Sequence, residues 1–183
     1  MAALIAYFSR AGENYFSGTL RTVSMGNTAL VARKIAQETG APLFRIDPLC
    51  PYARDYNTCI EEAQNDQRRD ARPELKSYPD SIAPYNDIYL GFPNYWGTMP
   101  MPVFTFLEHF DFSGKTIHPF CTHEGSGLGR SLSDIQRLCP EAVVAPALTI
   151  SGTHASQASP QVHRWLTQQL HDPSTSHPQH KIM

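Results

Sequence analysis

The sequence has no apolar run near the roughly 20 residues that a membrane-crossing helix needs, so no membrane span is expected. It also lacks an excess of positive charge. Lysine and arginine number 15 against 17 aspartates and glutamates, a formal net charge of −2. That balance offers no basic groove for nucleic acid and no polybasic face for a lipid surface. The 4 cysteines, Cys50, Cys59, Cys121 and Cys139, fall in no C-x-x-C or zinc-type spacing. They read as reduced thiols of a cytoplasmic protein, and no metal site is expected. The apolar start, residues 2–8, has no basic flank before it and no small-residue cleavage site after it. It therefore reads as a strand and not as a signal peptide. No internal repeat is evident.

What is present fits one globular domain. A chain of 183 residues, 41% hydrophobic and 17% charged, can bury a core, and its 15 prolines mark many defined loops. Residues 1–171 are read as that domain. The polar, proline-containing residues 172–183 are expected to be a disordered C-terminal tail.

Strand and helix patterns alternate along the domain. The first strand, residues 2–9, is apolar on both faces, as a central parallel strand should be. Residues 12–25 read as an irregular excursion with Tyr15 and Phe16. A helix over 28–39 follows, with Leu30, Val31 and Ile35 on one stripe and Gly40 at its stop. Strand 43–47, a charged helix 56–69, strand 87–92, helix 103–110, strand 116–121, helix 130–138, strand 143–150 and helix 157–170 complete the pattern. Such alternation predicts an α/β, three-layer doubly wound fold with a five-stranded parallel sheet in the order 2-1-3-4-5. Ligands of such sheets bind beyond the carboxyl ends of the strands, where the order reverses.

Three loops lie at those ends. In the first, Ser9 and Arg10 leave the first strand, and Gly26, Asn27 and Thr28 open the first helix. Hydroxyls, an amide, a guanidinium and free helix N-terminal amides at one place form a phosphate site. Simple capping of the helix by Asn27 or Thr28 is the plainer alternative. The second loop holds Pro93, Asn94, Tyr95, Trp96 and Gly97, which offer aromatic faces and amides to a planar ligand. Closure of the core by Trp96 is the plainer alternative there. The third loop, residues 122–129, carries Thr122, His123, Glu124, Gly125, Gly127 and Gly129. Its glycines expose backbone amides, but their spacing is not that of a dinucleotide fingerprint. His123 is the candidate catalytic residue, as a donor to a ligand oxygen or a general acid, with a surface histidine that does neither as the plainer alternative. Together the loops point to a phosphorylated, flat, aromatic ligand.

The stretches YFSR at 7–10, GNT at 26–28, GFPNYWGTMP at 91–100 and FCTHEGSG at 120–127 resemble those of the flavodoxin family, and more narrowly of flavodoxin-like FMN-binding proteins. The resemblance implies FMN as cofactor. It implies that Ser9, Arg10, Asn27, Thr28 and Ala29 hold the phosphate. Pro93, Asn94, Tyr95, Trp96 and Gly97 would line one side of the isoalloxazine, and Thr122, His123, Gly125 and Gly127 would approach its other parts. The sequence departs from the usual short phosphate turn, because residues 13–25 interrupt it. Either that excursion folds aside and the two halves rejoin, or it covers the site and brings Tyr15 or Phe16 to a substrate.

The function implied is electron transfer through bound flavin, with a redox partner protein or a small-molecule electron acceptor. One alternative is an NAD(P)H-dependent FMN reductase of quinones or similar acceptors. Another, of a different class, is a non-catalytic module that binds a phosphorylated ligand. A monomer and a homodimer both fit the sequence.

Overall fold

The computed structural model describes residues 2–171, so the tail expected over 172–183 lies outside the described residues. At the centre is β1 (Ala3–Tyr7), in parallel register between β4 (Leu43–Arg45) and β5 (Asp87–Pro93). Beyond β5 lies β6 (Thr116–His123), and beyond it the edge formed by β7 (Val143–Val144) and β8 (Leu148–Ser151). The predicted order 2-1-3-4-5 is therefore the observed one, with the fifth strand in two pieces. The break is Pro146: proline cannot donate to a ladder, and its carbonyl instead accepts from Trp165 Nε1 at 2.9 Å.

Alternation along β1 explains the three layers. Leu4, Ala6 and Phe8 face a core shared with α3 (Met101–His109) and α4 (Ser131–Leu138), where Val103, Phe106, Leu107 and Ile135 are buried. Ile5 and Tyr7 face the other core, packed by Val31, Ala32 and Ile35 of α1 (Asn27–Thr39) and by Val162, Trp165 and Leu166 of α5 (Ser159–His171). Successive side chains of a strand point to opposite faces, so a strand buried on both sides reads as continuously apolar.

Some boundaries differ from the sequence reading. The fifth helix begins at Ser159, with Pro160 in its first turn, and a separate 3₁₀ turn spans Gly152–Gln157. β5 and β6 run on through Pro93 and His123, taking the starts of two candidate loops into the sheet. The larger correction concerns residues 12–25. They are regular: β2 (Gly12–Phe16) and β3 (Thr19–Val23) form an antiparallel hairpin with its own two-stranded sheet. Its two-residue turn has Ser17 at φ 45° and Gly18 at φ 94°, the positive angles that match strand twist. The hairpin packs against α2 (Tyr56–Arg68), which lies beside α3.

Parallel pairing brings the carboxyl ends of β1, β5, β6 and β8 to one edge of the sheet. The three candidate loops meet there.

Candidate functional site

The first loop closes across its interruption. Ser9 Oγ accepts from Ala29 N–H at 3.1 Å, inside the first turn of α1. Gly26 lies so close that a Cβ there would overlap Ser9 Oγ and the Arg10 carbonyl. The two halves of the predicted phosphate site are thus one place, with the hairpin emerging between them. The N-cap of α1 is Gly26, which has no side-chain cap, and the first turn holds no acidic residue. Neither Asn27 nor Thr28 caps the helix, contrary to the plainer alternative. Thr28 Oγ1 instead meets Thr122 Oγ1 at 2.8 Å in a buried contact. Ala29 and Leu30 amides have acceptors, while those of Asn27 and Thr28 have none among the described residues. Open amides at the positive end of a 13-residue helix suit a phosphate.

Arg10 is held by backbone carbonyls. Its guanidinium donates to Ala53 O at 3.0 Å, to Arg54 O at 3.1 Å and to the Glu13 carbonyl. The arginine staples the root of the hairpin to the loop before α2 and is not aimed at the α1 N-terminus. Its Nε is buried with no partner among the described residues.

The second loop is a tight turn. Tyr95 N–H donates to Thr98 O at 2.8 Å, with Trp96 at φ 54° and Gly97 at φ 85° between them. A bulky residue with positive φ is strained, and such strain collects at functional sites. The turn is held firmly. Asn94 Oδ1 accepts from Gly97 N–H at 2.9 Å, and Asn94 Nδ2 donates to Gly127 O at 2.7 Å, tying the second loop to the third. The buried Thr98 hydroxyl donates to Asp134 at 2.6 Å. Gly129 packs so close to Gly97 that a Cβ would overlap its carbonyl. Trp96 does not close the core: it is 45% exposed, with Nε1 donating to Ile60 O at 2.8 Å. Tyr95 turns inward, edge-on to Phe8 and Tyr52, with its hydroxyl 3.9 Å from Cys59 Sγ. Burial pushes both the Tyr95 hydroxyl and the Cys59 thiol up, with Arg10 opposing the effect on each.

In the third loop Gly125 N–H donates to His123 Nδ1 at 2.9 Å. A backbone amide can only donate, so the neutral ring keeps its proton on Nε2. Glu124 is a structural tie. Its carboxylate accepts from Thr153 N–H at 2.7 Å and from Ser17 N–H at 3.1 Å, joining the 3₁₀ turn to the hairpin tip. Gly125 and Gly127 have positive φ and open space where a Cβ would be.

A cleft of about 380 Å³ lies between these loops, a size that suits a small-molecule site. Of the residues expected from sequence, Arg10, Asn27, Pro93, Asn94, Tyr95, Trp96, Thr122 and His123 line it. Ser9, Thr28 and Ala29 form the adjoining α1 terminus, and Gly97, Gly125 and Gly127 shape its loops. Sequence reasoning missed the wall made by α2: Tyr56, Cys59, Ile60 and Ala63 line the cleft at helical spacing. From the hairpin, Asn14 and Tyr15 line it, while Phe16 is buried under the Arg21 guanidinium. Among the described residues no group of histidines, cysteines and carboxylates is arranged to hold a metal ion, and no helix is long and apolar enough to cross a membrane.

Comparison with known proteins agrees with this fold. The sequence pattern of the family described as Flavodoxin matches residues 3–169. Two provisionally named flavoproteins of known structure are similar. The one from Bacteroides eggerthii is 26% identical, with 91% of this chain and 96% of that one covered and a TM-score of 0.69. The one from Bacteroides uniformis is 27% identical, with coverage of 91% and 97% and the same TM-score of 0.69. A flavoprotein from Lactobacillus acidophilus, solved in complex with FMN, shares the fold at 17% identity and a TM-score of 0.60, covering 85% of this chain and 97% of that one. No curated protein matches the sequence significantly.

Proposed function

The chain belongs to the flavodoxin family, and on that premise we propose that it is an FMN-binding redox protein that passes electrons through the bound flavin. The observation that carries this reading is the rejoined first loop: an uncapped helix terminus with two unpartnered amides beside Ser9 and Thr28, opening toward a cleft walled by Trp96. These residues fit FMN. The α1 terminus, with Ser9, Asn27, Thr28 and Ala29, would hold the phosphate. The Pro93–Gly97 and Thr122–Gly127 segments would hold the ring.

Bound FMN supplies one- or two-electron chemistry, and the protein tunes it. The chain's own contribution is orientation. Asn94 locks the second and third loops to each other, and Thr98 anchors them to α4 through Asp134. Trp96, held in its strained conformation by the bond to Ile60, presents an exposed aromatic face. His123 Nε2 is left free to donate to an oxygen or nitrogen in the cleft. A second reading, a reductase of small molecules fed by a nicotinamide, is favoured by the hairpin, which brings Asn14 and Tyr15 into the lining of the cleft. Partner and compartment are taken as expected from sequence: a redox protein or small acceptor, in the cytoplasm.

Stepwise anaerobic reduction of the FMN-loaded protein tests the choice. A stable one-electron-reduced species supports the carrier, and direct passage to the two-electron form supports the reductase. A spectrum identical to that of free FMN throughout contradicts both.

A further inference from the structure

Hairpin β2–β3 is an addition to the α/β scaffold. It pairs with no strand of the main sheet, and an isolated two-stranded hairpin is marginally stable at best. Yet it is fixed at three points along its length. Arg10 staples the root through the Glu13, Ala53 and Arg54 carbonyls. The Glu13 carboxylate accepts from Tyr56 N–H at 3.1 Å, at the start of α2. Glu124 holds the tip through Ser17, whose hydroxyl also lies 3.0 Å from Thr153 Oγ1.

The result is an aromatic wall. Tyr15 stacks on Tyr56 of α2, with ring centroids 6.1 Å apart and planes at 26°. Both rings line the cleft, and Tyr15 keeps 40% of its surface exposed. Ile60 and Ala63 add apolar surface beside them. The two residues of opposite formal charge in the lining, Arg10 and Glu124, are both engaged by backbone groups of the chain itself. The wall is therefore aromatic and free of unpaired charge, and the Asn14 amide beside it donates to the Arg10 and Gly12 carbonyls. A protein partner is normally steered by complementary charge on such a rim, whereas stacked rings favour another flat ring. None of the motifs that resemble the cofactor-binding stretches of the family falls in β2, β3 or α2.

We propose that the Tyr15–Tyr56 wall is a second subsite of the cleft, which binds a flat, uncharged conjugated ring of the quinone class beside the cofactor. The proposal rests on the FMN reading above and adds to it where the second molecule sits.

The test uses oxidised protein with no turnover. Wild type, Tyr15→Ala and Tyr15→Phe are dialysed to equilibrium against FMN and then, FMN-loaded, against duroquinone. The ring of duroquinone is fully substituted, so the exposed Cys50 thiol does not add to it. The expected result is FMN affinity within about twofold in all three, and duroquinone affinity lowered about tenfold in Tyr15→Ala alone. Equal duroquinone affinity in Tyr15→Ala and wild type overturns the subsite and leaves the FMN reading intact. Parallel loss of FMN and duroquinone in Tyr15→Ala also overturns it, by assigning the wall to the cofactor site. A wild-type protein that takes up no FMN overturns the cofactor reading and this proposal with it.

Discussion

The hydroxyls of Thr28 and Thr122 lie 2.8 Å apart in a buried contact between the first turn of α1 and the end of β6. This bond couples the α1 terminus, where we propose that the phosphate binds, to the glycine loop. The two positions make different predictions. Thr28→Ala removes a hydroxyl from the phosphate terminus, and FMN affinity should fall about tenfold to a hundredfold, as when a hydrogen bond to a charged group is lost. Thr122→Val leaves the buried Thr28 hydroxyl without its partner, and stability should fall by about 1–3 kcal/mol. Thr28→Ala breaks the same buried bond and should lose stability as well, so denaturant unfolding of the cofactor-free protein reports the bond in both variants and FMN titration separates them. Equal loss of affinity with unchanged stability in both variants would contradict the assignment.

Trp96 carries the strained point of the second loop. Glycine adopts φ 54° without penalty, so Trp96→Gly should relieve the backbone while losing the indole bond to Ile60. Net stability should stay within about 1 kcal/mol of wild type, while the reduction potential of bound FMN shifts. An unchanged spectrum and potential would show that Trp96 does not touch the flavin.

Two glycines of the third loop are distinguished by space alone. Both have positive φ, 66° at Gly127 and 55° at Gly129. At Gly127 a Cβ meets nothing within 4 Å, so Gly127→Ala should cost only the left-handed penalty of roughly 1–2 kcal/mol. At Gly129 a Cβ overlaps the Gly97 carbonyl, which adds roughly 1–3 kcal/mol of overpacking and pushes the second and third loops apart. Gly129→Ala should therefore be the less stable variant and the one that loses FMN. Equal unfolding midpoints would contradict the close approach.

Burial pushes the Cys121 and Cys139 thiols up to about 12 from an ordinary value of 9.0. The folded protein keeps these protons while the unfolded chain releases them. Stability from this source is complete below about pH 9 and declines as pH rises toward 12, by at most about 1.4 kcal/mol per pH unit for each thiol. Tyr89, pushed up to about 12 by burial and by Asp87, acts in the same sense. Melting temperature should hold from pH 6 to 8 and fall above pH 9, less steeply in Cys121→Ala/Cys139→Ala. Parallel slopes in variant and wild type would contradict this origin.

The sheet order and the three strand-end loops were legible because glycine, proline and buried apolar runs punctuate them. The hairpin was not read, although Ser17-Gly18 between alternating segments is a two-residue turn signal. Its strands lack the dense apolar alternation of a core strand, since much of β3 is exposed. The α2 wall was hidden by charge. Tyr56, Cys59, Ile60 and Ala63 follow the i, i+3, i+4, i+7 pattern, but charged and polar neighbours mask that narrow face. The direction of Arg10 was not legible, because residue type fixes its charge and donors but not where they point. Two of the carbonyls that capture it belong to a loop more than forty residues away.

Titration of the cofactor-free protein with FMN and, separately, with riboflavin tests the account most directly, because the two differ only in the phosphate assigned to the α1 terminus. The account predicts a perturbed visible spectrum with tight FMN binding, and riboflavin binding weaker by about a hundredfold or more. Equal affinity for both would contradict the phosphate site, and no binding of either would contradict the flavin assignment itself.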